Sequence, residues 1–332
     1  METNMMMFQF GRLCRSAIQA VLVLGFSAAV HAAYPDRPIK LIVPYPPGGA
    51  TDVIGRILAK NLGESLGQQV LVENRGGAGG NIGTLALARS KPDGYTLGIL
   101  TVSAMSIAPH ITKNLGFNPE KDFTPITNVV RTDGAILANS STPYNTVKEL
   151  VVYAKENPGK VSYASVGNGS IPHLTAEMFA QQAGISLLHV PYKGAAPALQ
   201  DLLANIINLS FETSLVSAMG NMSSGRVKII ATTGPQRAAA APNVPTIAES
   251  GYPNFSAQGW FGLFGPANLP PAIEDALNKA TTAALRDPEV ISRFEKLGVI
   301  PDPLTQASFI SFMQVENKKW AAVAKTLNLQ LD

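Results

Sequence analysis

Short apolar runs alternate along the chain with segments whose apolar residues recur at the spacing of a helix. Residues 39–43 form an apolar run that is typical of a strand, and the Pro- and Gly-rich cluster 44–49 ends it. Helical spacing follows over residues 53–66, with Thr51 and Asp52 as the predicted N-cap residues. This part of the chain therefore predicts a strand, a glycine-bearing turn and a helix.

The same succession returns several times. Further strands are predicted at residues 70–72, 96–101, 161–164, 187–190, 207–211 and 227–231, and helices at 82–88, 146–156, 174–183, 198–204, 271–285, 289–297 and 307–326. Strands that alternate with helices are typical of an α/β fold in which mostly parallel sheets are flanked by helices.

The alternation falls into two blocks, which predict two lobes. Residues 123–137 and 255–264 join the blocks, and we expect both segments to cross between the lobes as strands. The first lobe is expected to cover residues 33–128 and, after the second crossing, residues 256–332. Residues 129–255 are expected to form the second lobe.

The N-terminal residues have the layout of an export signal. Arg12 and Arg15 precede an apolar stretch over residues 17–30, and Ala32 is the small residue expected before a cleavage site. We therefore predict a signal peptide over residues 1–32, cleaved after Ala32, and a periplasmic protein; an uncleaved membrane anchor is the alternative. Cys14, the single cysteine, lies ahead of the apolar stretch, so the mature chain would have no thiol for catalysis, metal binding or a disulfide.

Composition narrows the function classes further. Of the 332 residues, 46% are hydrophobic and 15% are charged, which excludes an intrinsically disordered chain. The formal charge is +3 and the basic residues form no run, so a nucleic-acid partner is not expected. The length is that of a globular protein with two domains.

Four glycine-bearing turns precede predicted helices. In parallel sheets, ligands bind beyond the carboxyl ends of the strands, which is where these turns lie. The start of a helix carries unpaired N–H groups and a partial positive charge, and glycine lets the backbone approach a ligand closely. The residues alone therefore indicate an anion site between two lobes.

Sequence motifs for catalysis or for a cofactor are missing. The chain has no Gly-x-Ser-x-Gly elbow, no Gly-x-Gly-x-x-Gly turn and no phosphate loop. His110, His173 and His189 lack the spacing of a zinc site. We expect no enzymatic activity, no catalytic residue, no metal and no cofactor. For His173, a local packing role and a position beside the ligand both remain open.

Several motifs follow one another along nearly the whole mature chain. They are residues 44–52 (PYPPGGATD), 73–83 (ENRGGAGGNIG), 92–96 (PDGYT), 163–173 (YASVGNGSIPH), 189–194 (HVPYKG), 244–251 (VPTIAESG) and 260–262 (WFG). In these motifs the chain resembles the substrate-binding proteins of tripartite tricarboxylate transporters, also called the Bug family. Glu212 departs from the pattern, because the family often has Phe-Asp-Asn where this chain has Phe-Glu-Thr.

The resemblance implies a two-lobe, type II-like periplasmic binding protein that closes over a small organic carboxylate. Backbone amides of the first ligand loop (residues 44–52) and of the third (residues 163–173) are then expected to hold one carboxylate, helped by hydroxyl groups. The expected ligand-binding residues are Tyr45, Pro47, Gly48, Gly49, Thr51, Asp52, Thr101, Ser103, Ser165, Asn168, Gly169, Ser170, His173 and Glu212. Because Glu212 is longer than aspartate, we expect a changed pocket at the far end of the ligand.

The resemblance also implies a partner. Such a receptor is expected to act as a monomer that delivers its ligand to the subunits of a membrane permease. Ligand sensing for a signalling partner is one alternative, and a periplasmic hydrolase is another. Tricarboxylates, dicarboxylates, aromatic acids and acidic amino acids all carry the required carboxylate, so the ligand stays open at this point.

Overall fold

The computed structural model describes residues 34–331. The predicted signal peptide and its cleavage after Ala32 lie outside the described residues. Within the described part of the chain, no helix combines the length and the apolar character needed to cross a bilayer.

Between residues 34 and 331, eleven strands form two sheets. In chain order they are β1 (Ile39–Val43), β2 (Val70–Asn74), β3 (Thr96–Thr101), β4 (Phe123–Asp133), β5 (Ala135–Asn139), β6 (Ser162–Ser165), β7 (Leu188–Pro191), β8 (Leu209–Glu212), β9 (Val227–Thr232), β10 (Gln258–Pro266) and β11 (Val299–Pro301). One sheet has six strands in the order β11-β4-β10-β3-β1-β2, and the other has five in the order β7-β6-β8-β5-β9. Each sheet is the centre of one lobe.

The predicted two-lobe α/β fold is confirmed, but the sheets are mixed rather than mostly parallel. β1 is parallel to β2 and β3, and β6 is parallel to β7 and β8. β10 runs antiparallel to β3 and β4, and β5 runs antiparallel to β8 and β9. The antiparallel pairs arise because β5 and β10 enter their sheets from the other lobe, against the direction of their neighbours. The residue boundaries predicted for the lobes stay predictions.

The helices flank the sheets. They are α1 (Ala50–Leu66), α2 (Asn81–Ala88), α3 (Ala108–Ile111), α4 (Val147–Glu156), α5 (Ile171–Ala183), α6 (Ala195–Leu203), α7 (Val216–Met219), α8 (Pro271–Leu285), α9 (Pro288–Lys296) and α10 (Gln306–Leu327). Short turns of 3₁₀ helix lie at Ala78–Gly80 and Met222–Ser224, and a π-helical turn lies at Ser103–Ile107.

Three helix starts lie several residues earlier than predicted: those of α1, α5 and α6, the last beginning at Ala195 instead of residue 198. Thr51 and Asp52 are not the N-cap residues of α1; the helix begins at Ala50, with Gly49 as its N-cap. α5 begins at Ile171, three residues earlier than the predicted residue 174, and carries a proline in its first turn. Proline is tolerated there because the first N–H groups of a helix have no intrahelical acceptor.

The crossover strand β10 lies inside the six-stranded sheet, between β3 and β4, and its aromatic residues pack in the core. Trp260 and Phe264 are buried, and their rings pack against Phe309 of α10. These aromatic rings are therefore core residues. Phe261, between them in sequence, faces the opposite side of the strand, as the two-residue repeat of a strand requires.

Candidate ligand-binding site

A small cavity lies at the carboxyl ends of parallel strands from both sheets. It measures about 30 Å³, which is room for a few water molecules. Most of the lining residues lie at or just after the ends of β1, β3, β6 and β8, or at the starts of α1 and α6. Phe261 of β10 also lines the cavity. The lining residues are Tyr45, Pro46, Gly49, Ala50, Thr51, Thr101, Ser103, Val166, Ala195, Glu212, Thr213 and Phe261. A ligand larger than a few waters can enter only if the loops from the two lobes move apart.

The start of α1 forms one wall of this cavity. Gly49 is the N-cap residue, and no side chain caps the helix. Ala50 and Thr51 follow in the first turn and also line the cavity. The N–H groups of a first turn have no intrahelical acceptor, and the helix dipole adds a partial positive charge beside them.

The start of α6, from the other lobe, faces the same cavity. Gly194 is its N-cap residue, again without a capping side chain, and Ala195 lines the cavity. Most helices begin with a serine, threonine, aspartate or asparagine that occupies these N–H groups. Two uncapped helix starts at one cavity are therefore an arrangement suited to an anion.

The loop before α1 is held by a network around Asp52. The Asp52 carboxylate accepts hydrogen bonds from the Gly48 N–H (3.0 Å), Arg56 Nε (3.0 Å) and Asn74 Nδ2 (2.9 Å). Asn74 Nδ2 also donates to the Tyr45 carbonyl at 2.9 Å. Burial acts to raise the pKa of Asp52, but the bonds from Arg56, Gly48 and Asn74 outweigh it and lower that pKa. The Asp52 carboxylate and the Gly48 N–H therefore make their hydrogen bonds within the loop and its neighbours.

Hydroxyl groups contribute the polar surface between the helix starts. The Tyr45 hydroxyl donates to the Gly79 carbonyl at 2.7 Å and lies 3.4 Å from Thr101 Oγ1. Burial raises the pKa of Tyr45, so it stays a neutral phenol. Ser103 Oγ accepts the N–H of Ile171 at 3.0 Å, which ties the first lobe to the start of α5 in the second.

Glu212 is the acidic residue of the cavity. It ends β8, is 7% exposed and accepts a hydrogen bond from Ser210 Oγ at 2.7 Å. Burial raises its pKa to about 7, with hydrogen bonds from Ser210 and Ser217 acting in the opposite direction. Among the described residues that line the cavity there is no arginine, lysine or histidine.

The third loop, before α5, bonds mainly to itself. Ser170 Oγ donates to the Gly167 carbonyl at 2.6 Å, and the Gly169 N–H donates to His173 Nδ1 at 3.2 Å. Ser165 Oγ is hydrogen-bonded to His189 Nε2 at 2.7 Å. The ring of His173 stacks on that of His189 with centroids 4.1 Å apart. His173 therefore packs locally, and the loop's polar groups are largely occupied.

Burial also fixes the charge of the two histidines. It lowers the pKa of both His173 and His189 to about 4, with the neighbouring ring of His173 adding to the shift of His189. Both rings are thus neutral at neutral pH. The Ser165–His189 contact is a serine–histidine pair that the sequence did not reveal, but Ser165 is 1% exposed and lies outside the cavity lining.

The predicted residues divide between the cavity and its surroundings. Those that line the cavity are Tyr45, Gly49, Thr51, Thr101, Ser103 and Glu212. Those that do not are Pro47, Gly48, Asp52, Ser165, Asn168, Gly169, Ser170 and His173. Contact of either set with a ligand stays a prediction.

Sequence reasoning missed several lining residues: Pro46, Ala50, Val166, Ala195, Thr213 and Phe261. Ala195 could have been found, since the motif 189–194 ends in a glycine that precedes a helix. Among residues 34–331, no group of three or more histidine, cysteine, aspartate or glutamate side chains could hold a metal ion.

The family was established by comparison with known proteins. Residues 54–329 match the family model described as the tripartite tricarboxylate transporter family receptor. Protein BugT of Bordetella pertussis is 35% identical over 313 residues, which cover 94% of this chain and 96% of that protein.

Two solved structures from Rhodopseudomonas palustris are similar over their whole length. One protein, solved with adipate, is 30% identical with a TM-score of 0.87, and the match covers 90% of this chain and 99% of that one. MatC, solved with bound malate, is 28% identical with a TM-score of 0.83, covering 87% of this chain and 99% of that one. From the family match along most of its length, the chain belongs to the tripartite tricarboxylate transporter receptor family, whose members are solute-binding receptors.

Proposed function

We propose that this protein is an exported receptor that binds a small dicarboxylate in the cavity between its lobes. One carboxylate of the ligand accepts hydrogen bonds from N–H groups at the starts of α1 and α6. The observation that carries this proposal is that both helices begin at the same cavity with a glycine and no capping side chain. Thr51 and Thr101 supply further hydroxyl groups around the ligand.

The relatives support the ligand class. Adipate and malate, bound in two similar proteins, are both dicarboxylates, and they differ in chain length and in a hydroxyl group. A site that holds the shared carboxylate with backbone N–H groups tolerates such variety, because the remaining contacts are left to a few side chains.

The binding free energy is within reach of this arrangement. A dissociation constant of about 1 μM corresponds to about −8 kcal/mol. Hydrogen bonds to a charged group contribute about 1.5–3 kcal/mol each. About four or five of them, less the cost of association and of ordering the lobes, reach this range without a salt bridge.

The receptor acts in the periplasm and passes its ligand to a membrane permease. Export rests on the signal peptide predicted over residues 1–32, and the permease rests on the family to which the chain belongs. A receptor of this kind should release its ligand chemically unchanged, and analysis of the ligand recovered after binding checks this.

The protein is first unfolded and refolded to remove any ligand carried through purification. The refolded protein is then titrated calorimetrically with adipate, malate, benzoate, glutamate and glucose. We expect binding of a dicarboxylate and none of glucose. Ala195→Asp places a carboxylate in the cavity at a helix start, where an acidic residue favours the helix. We expect affinity to fall by about a hundredfold or more, because two like charges at close range cost several kcal/mol.

Ala307→Asp is the matched control, since Ala307 is exposed and lies in the first turn of α10 away from the cavity. It should bind like the wild type. Binding of dicarboxylate by the Ala195→Asp protein at wild-type strength would place the anion elsewhere, and binding of glucose alone would overturn the proposed function.

A further inference from the structure

Glu212 has no cationic partner among the described residues that line the cavity. It ends β8, and its Oε1 accepts a hydrogen bond from Ser210 Oγ at 2.7 Å. Around it, Phe261 comes from β10, and Thr101 and Ser103 come from the end of β3 and the turn after it. Of the cavity residues that the structure describes, the other titratable side chain is Tyr45, which is neutral.

β5, β6, α5 and α6 pack against β8, and none of them carries a lysine or an arginine. Their titratable side chains are Tyr163 on β6, the neutral His173 and Glu177 on α5, and Asp201 on α6. β5 pairs with β8 in the second sheet and places Ala135 opposite Glu212. Asp133, two residues before this strand, accepts a hydrogen bond from Gln258 Nε2 at 2.8 Å. On α7, Ser217 offers a hydroxyl to the Glu212 carboxyl. Hydroxyl groups and apolar side chains therefore make up the surroundings of Glu212.

A dicarboxylate at this cavity brings two negative charges. The two helix starts offset them in part, since each helix start carries about half a positive charge. An ionised Glu212 would add a third negative charge in a buried position, where the repulsion between like charges is strong. A protonated Glu212 removes that charge and supplies a hydrogen-bond donor instead.

We propose that Glu212 is a specificity-determining residue that is protonated in the complex and donates a hydrogen bond to the second carboxylate of the ligand. The inference rests on the proposed function, namely dicarboxylate binding in this cavity. The proton comes from solvent and stays on Glu212, so no covalent bond to the ligand forms or breaks. The burial that raises the pKa of Glu212 to about 7 makes this protonation cheap near neutral pH.

The consequence is a loss of affinity at alkaline pH. If only the protonated form binds, and its pKa in the free protein is about 7, the dissociation constant rises about tenfold between about pH 6 and about pH 8. At about pH 8 the complex takes up close to one proton from the buffer. A cationic group at the far end of the ligand would instead pair with ionised Glu212 and bind more tightly as the pH rises.

The experiment is calorimetric titration with whichever of adipate and malate binds more tightly, at pH 6, 7 and 8, in buffers of different ionisation enthalpy. Glu212→Gln keeps the shape and the donor but cannot titrate. We expect its affinity to stay within about threefold of the wild-type value at pH 6 and to be independent of pH. Titration of the ligand itself is common to both proteins and cancels in the comparison.

Glu177→Gln is the control, because Glu177 lies on α5 outside the cavity and only accepts a hydrogen bond from the Tyr163 hydroxyl, which glutamine also accepts. It should keep the wild-type pH dependence. A wild-type affinity that stays constant or rises with pH, or a Glu212→Gln protein that still loses about tenfold, overturns the inference. If the Glu212→Gln protein does not fold, the number of protons that the wild type takes up on binding, expected to be close to one at about pH 8, tests the inference instead. Failure of the wild type to bind either dicarboxylate at any pH is a different result and rejects the proposed function.

Discussion

Asp52 shows how an acidic residue in a binding loop can serve the loop instead of the ligand. Its side chain is 5% exposed, and its carboxylate accepts hydrogen bonds from Arg56, Asn74 and the Gly48 N–H. The side chain therefore holds the turn between β1 and α1, so that the first-turn N–H groups of α1 stay open to the cavity.

Replacing Asp52 by asparagine should destabilise the protein by about 1–2 kcal/mol at pH 7, because a buried, charge-assisted network is lost. The pKa of Asp52 is lowered in the folded protein, so the carboxylate stabilises the fold above its ordinary pKa. That contribution disappears as the pH falls through the folded-state value. Urea unfolding at pH 7 and pH 3 should therefore show a difference between the two proteins that shrinks at pH 3.

Asp93→Asn is the control for this measurement. Asp93 pairs with Arg37 at 3.3 Å, and both side chains are well exposed, so its loss should change stability by less than about 0.5 kcal/mol. Equal effects of the two substitutions would mean that burial adds nothing to the Asp52 network.

At the scale of elements, the sequence predicted most of the cavity residues that the first lobe contributes and few of those that the second lobe contributes. Tyr45 and Thr101 lie at or just after strands whose apolar runs are plain in the sequence, and Thr51 lies in the first turn of the helix that was predicted to follow β1. In the second lobe the sequence favoured the start of α5, whereas Ala195 at the start of α6 lines the cavity.

The reason is that packing between the lobes decides which helix start faces the cavity. Ser103 occupies the N–H of Ile171 at the start of α5. A Cβ at Gly79 would lie 2.9 Å from the Asn168 carbonyl oxygen, so the third loop packs closely on the other lobe. These contacts join residues distant in sequence, and no local pattern encodes them. The antiparallel insertion of β10 is hidden for the same reason.

Gly194→Val tests the contact between the loop after β1 and the start of α6. Gly194 has an extended backbone, so valine adds no backbone strain, but its Cβ would lie 3.2 Å from the Pro46 ring. The added methyl groups should hold the two elements apart and weaken dicarboxylate binding by about tenfold, because close packing tolerates little extra volume. Titration calorimetry measures this effect, and thermal unfolding without ligand should change little.

Gly220→Val adds the same atoms at an exposed glycine after α7, where the nearest atom to a new Cβ is 3.6 Å away. It should leave the affinity unchanged. Wild-type affinity in the Gly194→Val protein would show that the loop and the helix need not approach each other in the complex.

For the whole molecule, groups buried on the two sides of the second sheet titrate with opposite consequences for stability. The pKa values of His173 and His189 are lowered to about 4, so the unfolded chain takes up protons first and stability is lost as the pH falls from 6.5 toward 4. The pKa of Glu212 is raised to about 7, so this residue stabilises the folded protein increasingly as the pH falls over the same range.

His173→Phe isolates one of these contributions. Phenylalanine keeps a ring against His189 but does not titrate, although the Gly169 N–H loses its acceptor and the variant should be less stable at pH 6.5. Between pH 6.5 and pH 4.5, the wild type should lose about 2 kcal/mol more unfolding free energy than the variant. Denaturant unfolding at the two pH values measures the difference, and parallel losses in both proteins would mean that His173 is protonated in the folded state.

The uncapped starts of α1 and α6 have an evolutionary consequence. In the proposed complex the carboxylate is held by peptide N–H groups, which nearly every amino acid possesses. Substitutions that accumulate over time therefore leave the grip on the carboxylate in place, while Thr51, Thr101, Glu212, Thr213 and Phe261 are free to vary around the rest of the ligand. Recognition of the common group is inherited with the backbone, and a new ligand requires changes at only a few side chains.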